Sequence, residues 1–431
     1  MKELLEFISF QDANIRFVVF GLILLSTASA SVGTFAMLRK RSLIGDAVAH
    51  AVLPGICLAF MFTGEKNPLV LLIGSFISGS LSVYCIDLIS RNTKIKADTA
   101  VAMVLSVFFG LGIVLLTHIQ HSDYANQAGL DKFLFGKAAS MTQEDVYVFG
   151  GVALLVLIIL LLFLKEFKLL SFDSKYAKTI GYSTKWLEML LSSLTVLAVI
   201  TGIQAVGVVL MAAMLITPAV GAKFWSNNLN KLIIIAVFFA IFSALTGSFI
   251  SYSETSMPTG PWIVVIISGF AMVSFLVAPQ KGLLSIYVKQ IQHKRKIAEE
   301  NLLKRFYQLG EKEQDFYHAR SLKELQNQSN YLDLKLSLSL LLKHRFIEKT
   351  GKAYQLSKAG YAKGQRITRA HRLWESYLSE HLNIPADHVH DNAETVEHII
   401  TPDLEIEIRN SLSNPDLDPH QSQIPKKDGT I

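Results

Sequence analysis

From about Asn14 to Pro279 the sequence is a succession of long apolar runs separated by short polar turns, and after Lys289 that pattern stops. A helix crossing ~30 Å of hydrocarbon needs roughly 20 apolar residues. Runs of about that length lie at 15–38, 43–63, 68–90, 98–118, 145–164, 187–202, 204–222, 231–250 and 261–279. The stretch 187–222 is too long for one crossing, and TGIQAVG supplies its break. The expected fold is a multi-pass α-helical membrane protein with about nine transmembrane helices, followed by a charged, polar segment built like a soluble domain. An overall composition of 51% hydrophobic and 18% charged residues averages these halves and describes neither.

Lys and Arg in the short loops set the orientation. With the loop after the first span inside, the inner loops hold thirteen cations, Arg39, Lys40, Arg41, Arg91, Lys94, Lys96, Lys165, Lys168, Lys175, Lys178, Lys185, Lys223 and Lys231. The outer loops hold only Lys66, Lys132 and Lys137. The N-terminus is then outside, and everything after Pro279 is expected in the cytoplasm. STASAS near the end of the first span resembles a signal-peptidase site, but Glu3, Glu6 and Asp12 precede it in place of a basic region, so an uncleaved helix is expected. The two cysteines, Cys57 and Cys85, lie in apolar runs and offer neither a disulfide framework nor a thiolate zinc motif. The amphipathic inner loop Lys165–Trp186 suits either docking of a soluble partner at the membrane face or a solvated connector. VKQIQHKRK (Val288–Lys296) is expected to continue the last helix into the cytoplasm, its cations meeting anionic lipid. The domain reading is a membrane domain over 1–285, a basic linker over 286–300, a winged-helix domain over 301–365 and a metal-binding and dimerisation domain over 366–431.

Within the apolar half, SLIGDAVAHAVLPG (Ser42–Gly55) places Asp46 and His50 one helical turn apart on one face. An Asp in the bilayer costs ~2.5–3.5 kcal/mol even on the lenient insertion scale. Carboxylate and imidazole are what a hard-to-borderline divalent cation accepts. The pair reads either as part of a cation path or as a structural hydrogen bond near the inner interface. SLIGDAVAHAVLPGICLAF, SFDSKYAKTIG (Ser171–Gly181) and GVVLMAAMLITPAVGA (Gly207–Ala222) together resemble the zinc/manganese/iron-type ABC transporter permeases, over roughly residues 10–285. The resemblance implies a bacterial inner or plasma membrane protein in which Asp46 and His50 line the transport path. It also implies that Ser171, Phe172, Asp173, Ala177 and Gly181 belong to the segment that docks the ATPase. It further implies a separate ABC ATPase subunit, an extracytoplasmic metal-binding protein and a second permease subunit, identical or homologous. No GxxxxGK[ST] phosphate loop is present, so ATP hydrolysis belongs to that partner and the chain is a transport subunit, not an enzyme. Import, as against export, follows from the resemblance alone. On the outer side, His118, His121 and Asp123 read either as a cation guide or as ordinary loop polarity.

The polar tail has its own pattern. SLKELQNQ (Ser321–Gln328) and LDLKLSLSLLLKHRF (Leu332–Phe346) read as two helices, and FIEKTGKAYQLS alternates around a Thr-Gly turn as a hairpin does. Helix, turn, helix and two-stranded wing make a winged-helix pattern, followed by a long amphipathic helix from about Lys358 to His381. That helix carries His371 and Glu375, and HVHDNAETVEHII downstream carries His390, Glu394, Glu397 and His398. The six groups suit one or two metal sites with nitrogen and oxygen ligands, or else a salt-bridged surface helix. ITRAHRLWESYLSEHLNIPADHVHDNAETVEHII and DLDPHQSQIP resemble the metal-binding and dimerisation region of the diphtheria-toxin-repressor family of metalloregulators, over about 310–425. By that resemblance the six are the candidate ligands, and the tail is a candidate homodimer. Glu394 stands where some iron-type members carry Cys; an all-N/O set favours manganese or ferrous iron, although zinc also binds such sites. Arg320, Lys323, Lys335, Lys349 and Lys352 are candidate contacts to operator DNA. Leu336 and Leu340 stand where that family usually has polar or basic residues, so the tail reads either as a transcriptional repressor or as a sensor that brakes transport without touching DNA.

Overall fold

The computed structural model describes the chain except residues 1–5, 8, 10–11, 66, 122–142, 254–256, 327–330, 383, 386–395, 397, 399 and 427–431. The chain divides into two compact units, Met1–Ile286 and Tyr287–Ile431.

In the first unit the described helices are α1 (Ala13–Leu38), α2 (Ile44–Ala51), α3 (Leu53–Thr63), α4 (Pro68–Asn92), α5 (Ala97–Gln120), α6 (Gln143–Leu162), α7 (Leu164–Phe172), α8 (Ser174–Thr179), α9 (Thr184–Val206), α10 (Val208–Lys223), α11 (Leu229–Ser253) and α12 (Thr259–Val277). Among the described residues eight spans are long and apolar enough to cross a membrane, α2 and α3 together forming the one at Ile44–Thr63. The shorter α10 is the ninth apolar helix of the sequence reading. Its separation from α9 falls at Gly207, the last residue of TGIQAVG, where φ of +89° suits a residue without a Cβ. The break between α2 and α3 falls at Val52, two residues before Pro54, which has no N–H to donate. Ser78 on α4 donates its hydroxyl to the Ala51 carbonyl at that break, 2.6 Å away, so a neighbouring helix supplies the polar partner that hydrocarbon cannot. On α3 and α4, Gly55 and Gly74 abut: a Cβ on Gly55 would lie 2.2 Å from the Gly74 carbonyl oxygen. Small residues of this kind let membrane helices pack backbone to backbone.

The last apolar helix does not run on into the basic segment as expected. α12 ends at Val277, Ala278 turns to an extended conformation (ψ 134°) ahead of Pro279, and a separate helix α13 (Leu283–Glu313) begins after the turn. Proline disfavours helical backbone at the residue before it, which explains the stop.

The second unit continues with α14 (Leu322–Leu325), α15 (Tyr331–Lys343), β1 (Ile347–Thr350), β2 (Ala353–Leu356), α16 (Lys358–Leu382) and α17 (Pro402–Ser411). β1 and β2 pair antiparallel, Ile347 opposite Leu356, around Gly351 at φ +65°. Leu302, Leu303 and Phe306 of α13, Leu325 of α14, and Leu334, Leu338 and Leu341 of α15 form one core with Ile347, Leu356 and Ile367. A second core joins Ala370 and Leu373 of α16 to Ile400, Ile408, Leu412 and Ile424, with Val396 packed against it.

Candidate functional site

Asp46 lies in the first turn of α2 and His50 in its last. Their nearest atoms, Oδ1 and Nε2, are 3.7 Å apart, with the side chains 50% and 31% exposed. That separation is beyond a hydrogen bond, so the pair is not locked upon itself. The His50 ring meets Phe109 of α5 edge-on, with centroids 5.1 Å apart. The rest of α2 is buried at Ile44, Gly45, Ala47, Val48, Ala49 and Ala51, leaving Asp46 and His50 as its polar, accessible side.

The segment expected to face inward and dock an ATPase forms two short helices, α7 and α8. The Asp173 carboxylate accepts from the Tyr176 N–H at 2.9 Å and caps α8. Ser171 donates to the Phe167 carbonyl, Ala177 is fully buried, and Gly181 takes φ of +94°. Phe172 is 61% exposed, and Tyr176 and Ile180 are exposed beside it. His118, expected on the outer side, is exposed in the last turn of α5, and His121 Nδ1 lies 2.9 Å from the Thr117 carbonyl oxygen. Asp123 lies outside the described residues.

In the second unit His371 Nε2 and Glu375 Oε1 are 3.0 Å apart on α16, both side chains 3% exposed. His398 Nδ1 lies 2.8 Å from Glu300 Oε2 on α13, and Lys363 Nζ lies 3.0 Å from the other Glu300 oxygen. Burial opposes ionisation of Glu300, but hydrogen bonds from His398 and Lys363 prevail and hold its carboxyl down at about 2. Glu300 is the group the sequence reading missed, because 98 residues separate it from His398. Ala370 and Leu373, flanking His371, share a core with Val396 and Ile400, flanking His398. His390, Glu394 and Glu397 lie outside the described residues. Among the described residues no three His, Cys, Asp or Glu side chains converge on one point. The described donors are imidazole and carboxylate groups, a set that fits manganese, ferrous iron or zinc.

Of the candidate DNA contacts, Lys323, Lys335, Lys349 and Lys352 are exposed, on α14, α15, β1 and the hairpin turn. Arg320 is not available for phosphate. Its side chain is 1% exposed and its Nη1 donates to both Glu313 carboxylate oxygens at 3.0 Å, while its backbone N–H and C=O pair with Tyr354. A cation that extends a two-stranded sheet from within the core is structural. Leu336 is 42% exposed and Leu340 half-buried on α15.

Comparison with known proteins extends this picture. Residues 11–278 match the ABC 3 transport family, and residues 357–426 match the iron dependent repressor, metal binding and dimerisation domain. The manganese transport system membrane protein MntC of Bacillus subtilis (strain 168) is 40% identical over 375 residues, spanning 87% of this chain and 86% of that protein. The zinc transport system membrane protein TroC of Treponema pallidum (strain Nichols) is 43% identical over 275 residues, spanning 64% of this chain and 92% of that one. The solved structure of PsaBC from Streptococcus pneumoniae in complex with Fab aligns with a TM-score of 0.58 at 32% identity, covering 66% of this chain and 99% of that chain. This multi-pass membrane chain belongs to the ABC 3 transport family and carries a metalloregulator-type domain at its C-terminal end.

Proposed function

We propose that this chain is the permease subunit of an ABC importer for a divalent transition metal, manganese or ferrous iron with zinc as the competing cation, and that its tail is a cytoplasmic metal-responsive module. The observation that carries the reading is Asp46 and His50, an accessible carboxylate–imidazole pair on an otherwise buried helix of the membrane unit. A single chain leaves this pair uncovered. Hydrocarbon is a poor neighbour for a carboxylate, so a second permease subunit facing α2 is the cover we infer, with the ion passing between the two. An ABC ATPase docks on the exposed Phe172, with Ser171, Asp173, Ala177 and Gly181 shaping the segment, and an extracytoplasmic binding protein delivers the metal. The relatives named for manganese and for zinc transport support a metal of this class. Elemental analysis of cells with and without the intact chain, under limiting manganese, iron and zinc in turn, tests the reading. Accumulation of one of them should depend on the chain and vanish in Asp46→Ala.

In the tail, His371, Glu375, His390, Glu394, Glu397 and His398 are the proposed ligands, with Glu300 holding His398. A bound metal would supply the charge centre that these donors share; of them, His371 and Glu375 are held buried on α16 and His398 is held against Glu300. The domain limits read from the sequence, a linker at 286–300, a winged helix at 301–365 and a metal-binding and dimerisation region at 366–431, stand as part of this proposal. Repression of its own operon is supported by the helix–helix–hairpin order and by exposed Lys323, Lys335, Lys349 and Lys352. A second reading, a brake on transport that never touches DNA, is favoured by the exposed Leu336 on α15 and by burial of Arg320. Binding of the full-length chain in lipid nanodiscs to the DNA upstream of its own coding region, with and without manganese at physiological salt, separates them. A metal-dependent, competitor-resistant complex supports repression, and its absence alongside metal-dependent change in transport supports the brake.

A further inference from the structure

The inner ends of three membrane helices meet in a charge cluster that the transport reading does not use. Glu188, in the second turn of α9, sends one carboxylate oxygen to Arg39 at 2.7 Å and the other to Arg91 at 2.5 Å. Arg39 follows α1 directly and Arg91 is in the last turn of α4. Asp87, one turn before Arg91, lies 3.1 Å from Arg41 and 3.7 Å from Arg91. Arg39 and Glu188 are 12% and 21% exposed, so water screens their contact far less than it would a surface pair. Burial and the neighbouring Arg41 push the Arg39 guanidinium down, and the carboxylates of Glu188 and Asp87 work against that fall.

This cluster touches both functional ends of the membrane unit. On one side Leu187 and Leu191 of α9 bracket Glu188 and pack with Phe167 and Leu170 of α7, inside the proposed docking segment. On the other side the Arg41 carbonyl accepts from the Ile44 N–H at 3.2 Å, at the start of the helix that carries Asp46. A cavity of about 390 Å³ opens there, lined by Arg41, Ile44, Asp87, Arg91 and Asp98 among others. Its lining reaches Ile44, two residues before Asp46, and its arginines are held by Glu188 and Asp87. Moving α9 would carry Glu188 with it, and Arg91, a residue of that lining, follows only while its ion pair with Glu188 is intact. We propose that Glu188 is a positioning residue that transmits movement of the ATPase docking segment, through Arg39 and Arg91, to the inner exit beneath Asp46. It is an element shared by two sites that both can bias, which is the physical content of coupling.

The inference rests on the transport reading above, and its test keeps the two apart. In cells carrying the full-length chain with its ATPase and binding protein, manganese, iron and zinc are measured together, alongside the amount of chain in the membrane, the ATPase retained on the purified chain and the ATP hydrolysed by that complex. Glu188→Gln should keep the chain level, the retained ATPase and the hydrolysis, while metal accumulated per chain falls about tenfold, within the range of measured couplings. Glu188→Asp, which keeps the charge, should recover part of the loss. Undiminished accumulation per chain in Glu188→Gln overturns the inference. Loss of the retained ATPase also overturns it, since Glu188 would then serve docking. Should Glu188→Gln fail to reach the membrane, Arg91→Gln at the more exposed end decides: reduced accumulation with hydrolysis preserved supports the coupling, and normal accumulation refutes it. If the unaltered chain raises none of the three metals, the transport reading itself falls.

Discussion

One chemical pairing occurs twice in this molecule, in opposite settings. Asp46 and His50 in α2, and His371 and Glu375 in α16, each put a carboxylate and an imidazole one turn apart on a helix. In the membrane unit the two groups stand 3.7 Å apart and are 50% and 31% exposed; in the tail they stand 3.0 Å apart and are 3% exposed. A transport path needs ligands that bind well enough to admit an ion and weakly enough to release it. A sensor needs ligands fixed by their surroundings, so that occupancy is converted into a change of structure. On the proposed roles, burial and the neighbouring shell, more than residue type, separate carrying a metal from reading one. The tail adds such a shell in Glu300 and Lys363 behind His398, whereas the described neighbour of His50 is the edge of Phe109.

The comparison breaks most completely at Asp46. Asp46→Ala should reduce chain-dependent metal accumulation by more than about 100-fold, beyond the ~10–100-fold that loss of an outer-shell partner brings, with little change in the amount of chain in the membrane. Normal accumulation would leave α2 as an ordinary structural helix. Glu375→Ala should act in the reverse sense, leaving metal-limited uptake intact while exposing the cost of the buried setting. It removes the carboxylate that lies 3.0 Å from His371 Nε2 in a buried site, a loss of about 1–3 kcal/mol. Hydrogen exchange of the α16 amides should report that loss as faster opening, and metal should cease to slow it. If metal still protects α16 in Glu375→Ala, the tail's ligands lie elsewhere.

A smaller effect is expected where the accessible pair's support is altered and the pair itself is kept. Gly55→Ala would place a Cβ 2.2 Å from the Gly74 carbonyl oxygen. Forcing α3 from α4 should destabilise the membrane unit by about 1–3 kcal/mol, as overpacking does. The thermal aggregation midpoint of the purified chain should fall accordingly, with metal accumulation per chain falling less than in Asp46→Ala. An unchanged midpoint would mean that the α3–α4 contact is looser than its geometry indicates.

Much of this architecture was legible in the sequence, for definite reasons. Hydrophobic length marks a membrane helix because the bilayer has a fixed thickness, and the break at Gly207 and the hairpin turn at Gly351 fall where backbone needs positive φ. The spacing of four within each His–carboxylate pair is local and survives in the fold. Charges that find partners across the chain were not legible. Arg320 looked like a surface cation, yet it is paired with Glu313 and hydrogen-bonded to Tyr354 inside the core. Glu300 sat in an unremarkable acidic dipeptide, and only the approach of His398 gives it a role. Glu188 likewise reads as one polar residue at a helix start until α1 and α4 bring it two arginines. The stop at Val277 was available from Pro279, but the basic run beyond it suggested a continuous helix.

The smallest effect concerns the tail's outer surface and is the most discriminating between its two readings. Lys349 on β1 and Lys352 in the hairpin turn are exposed, so replacing both with Ala should move stability by less than about 0.5 kcal/mol. If the hairpin grips a phosphate backbone, each lysine contributes one released counterion. The double variant should then flatten the dependence of log affinity on log salt by about 2, roughly uniformly across sequences. A DNA complex whose salt dependence is unaltered would move the contact away from the hairpin and towards α14 and α15, where Lys323 and Lys335 are exposed. No DNA complex at all, with metal-dependent uptake also unchanged in the double variant, would leave the exposed Leu336 face of α15 as the surface through which the tail acts. Leu336→Glu should in that case abolish the brake and leave metal binding by α16 untouched, because Leu336 lies outside the core that flanks His371.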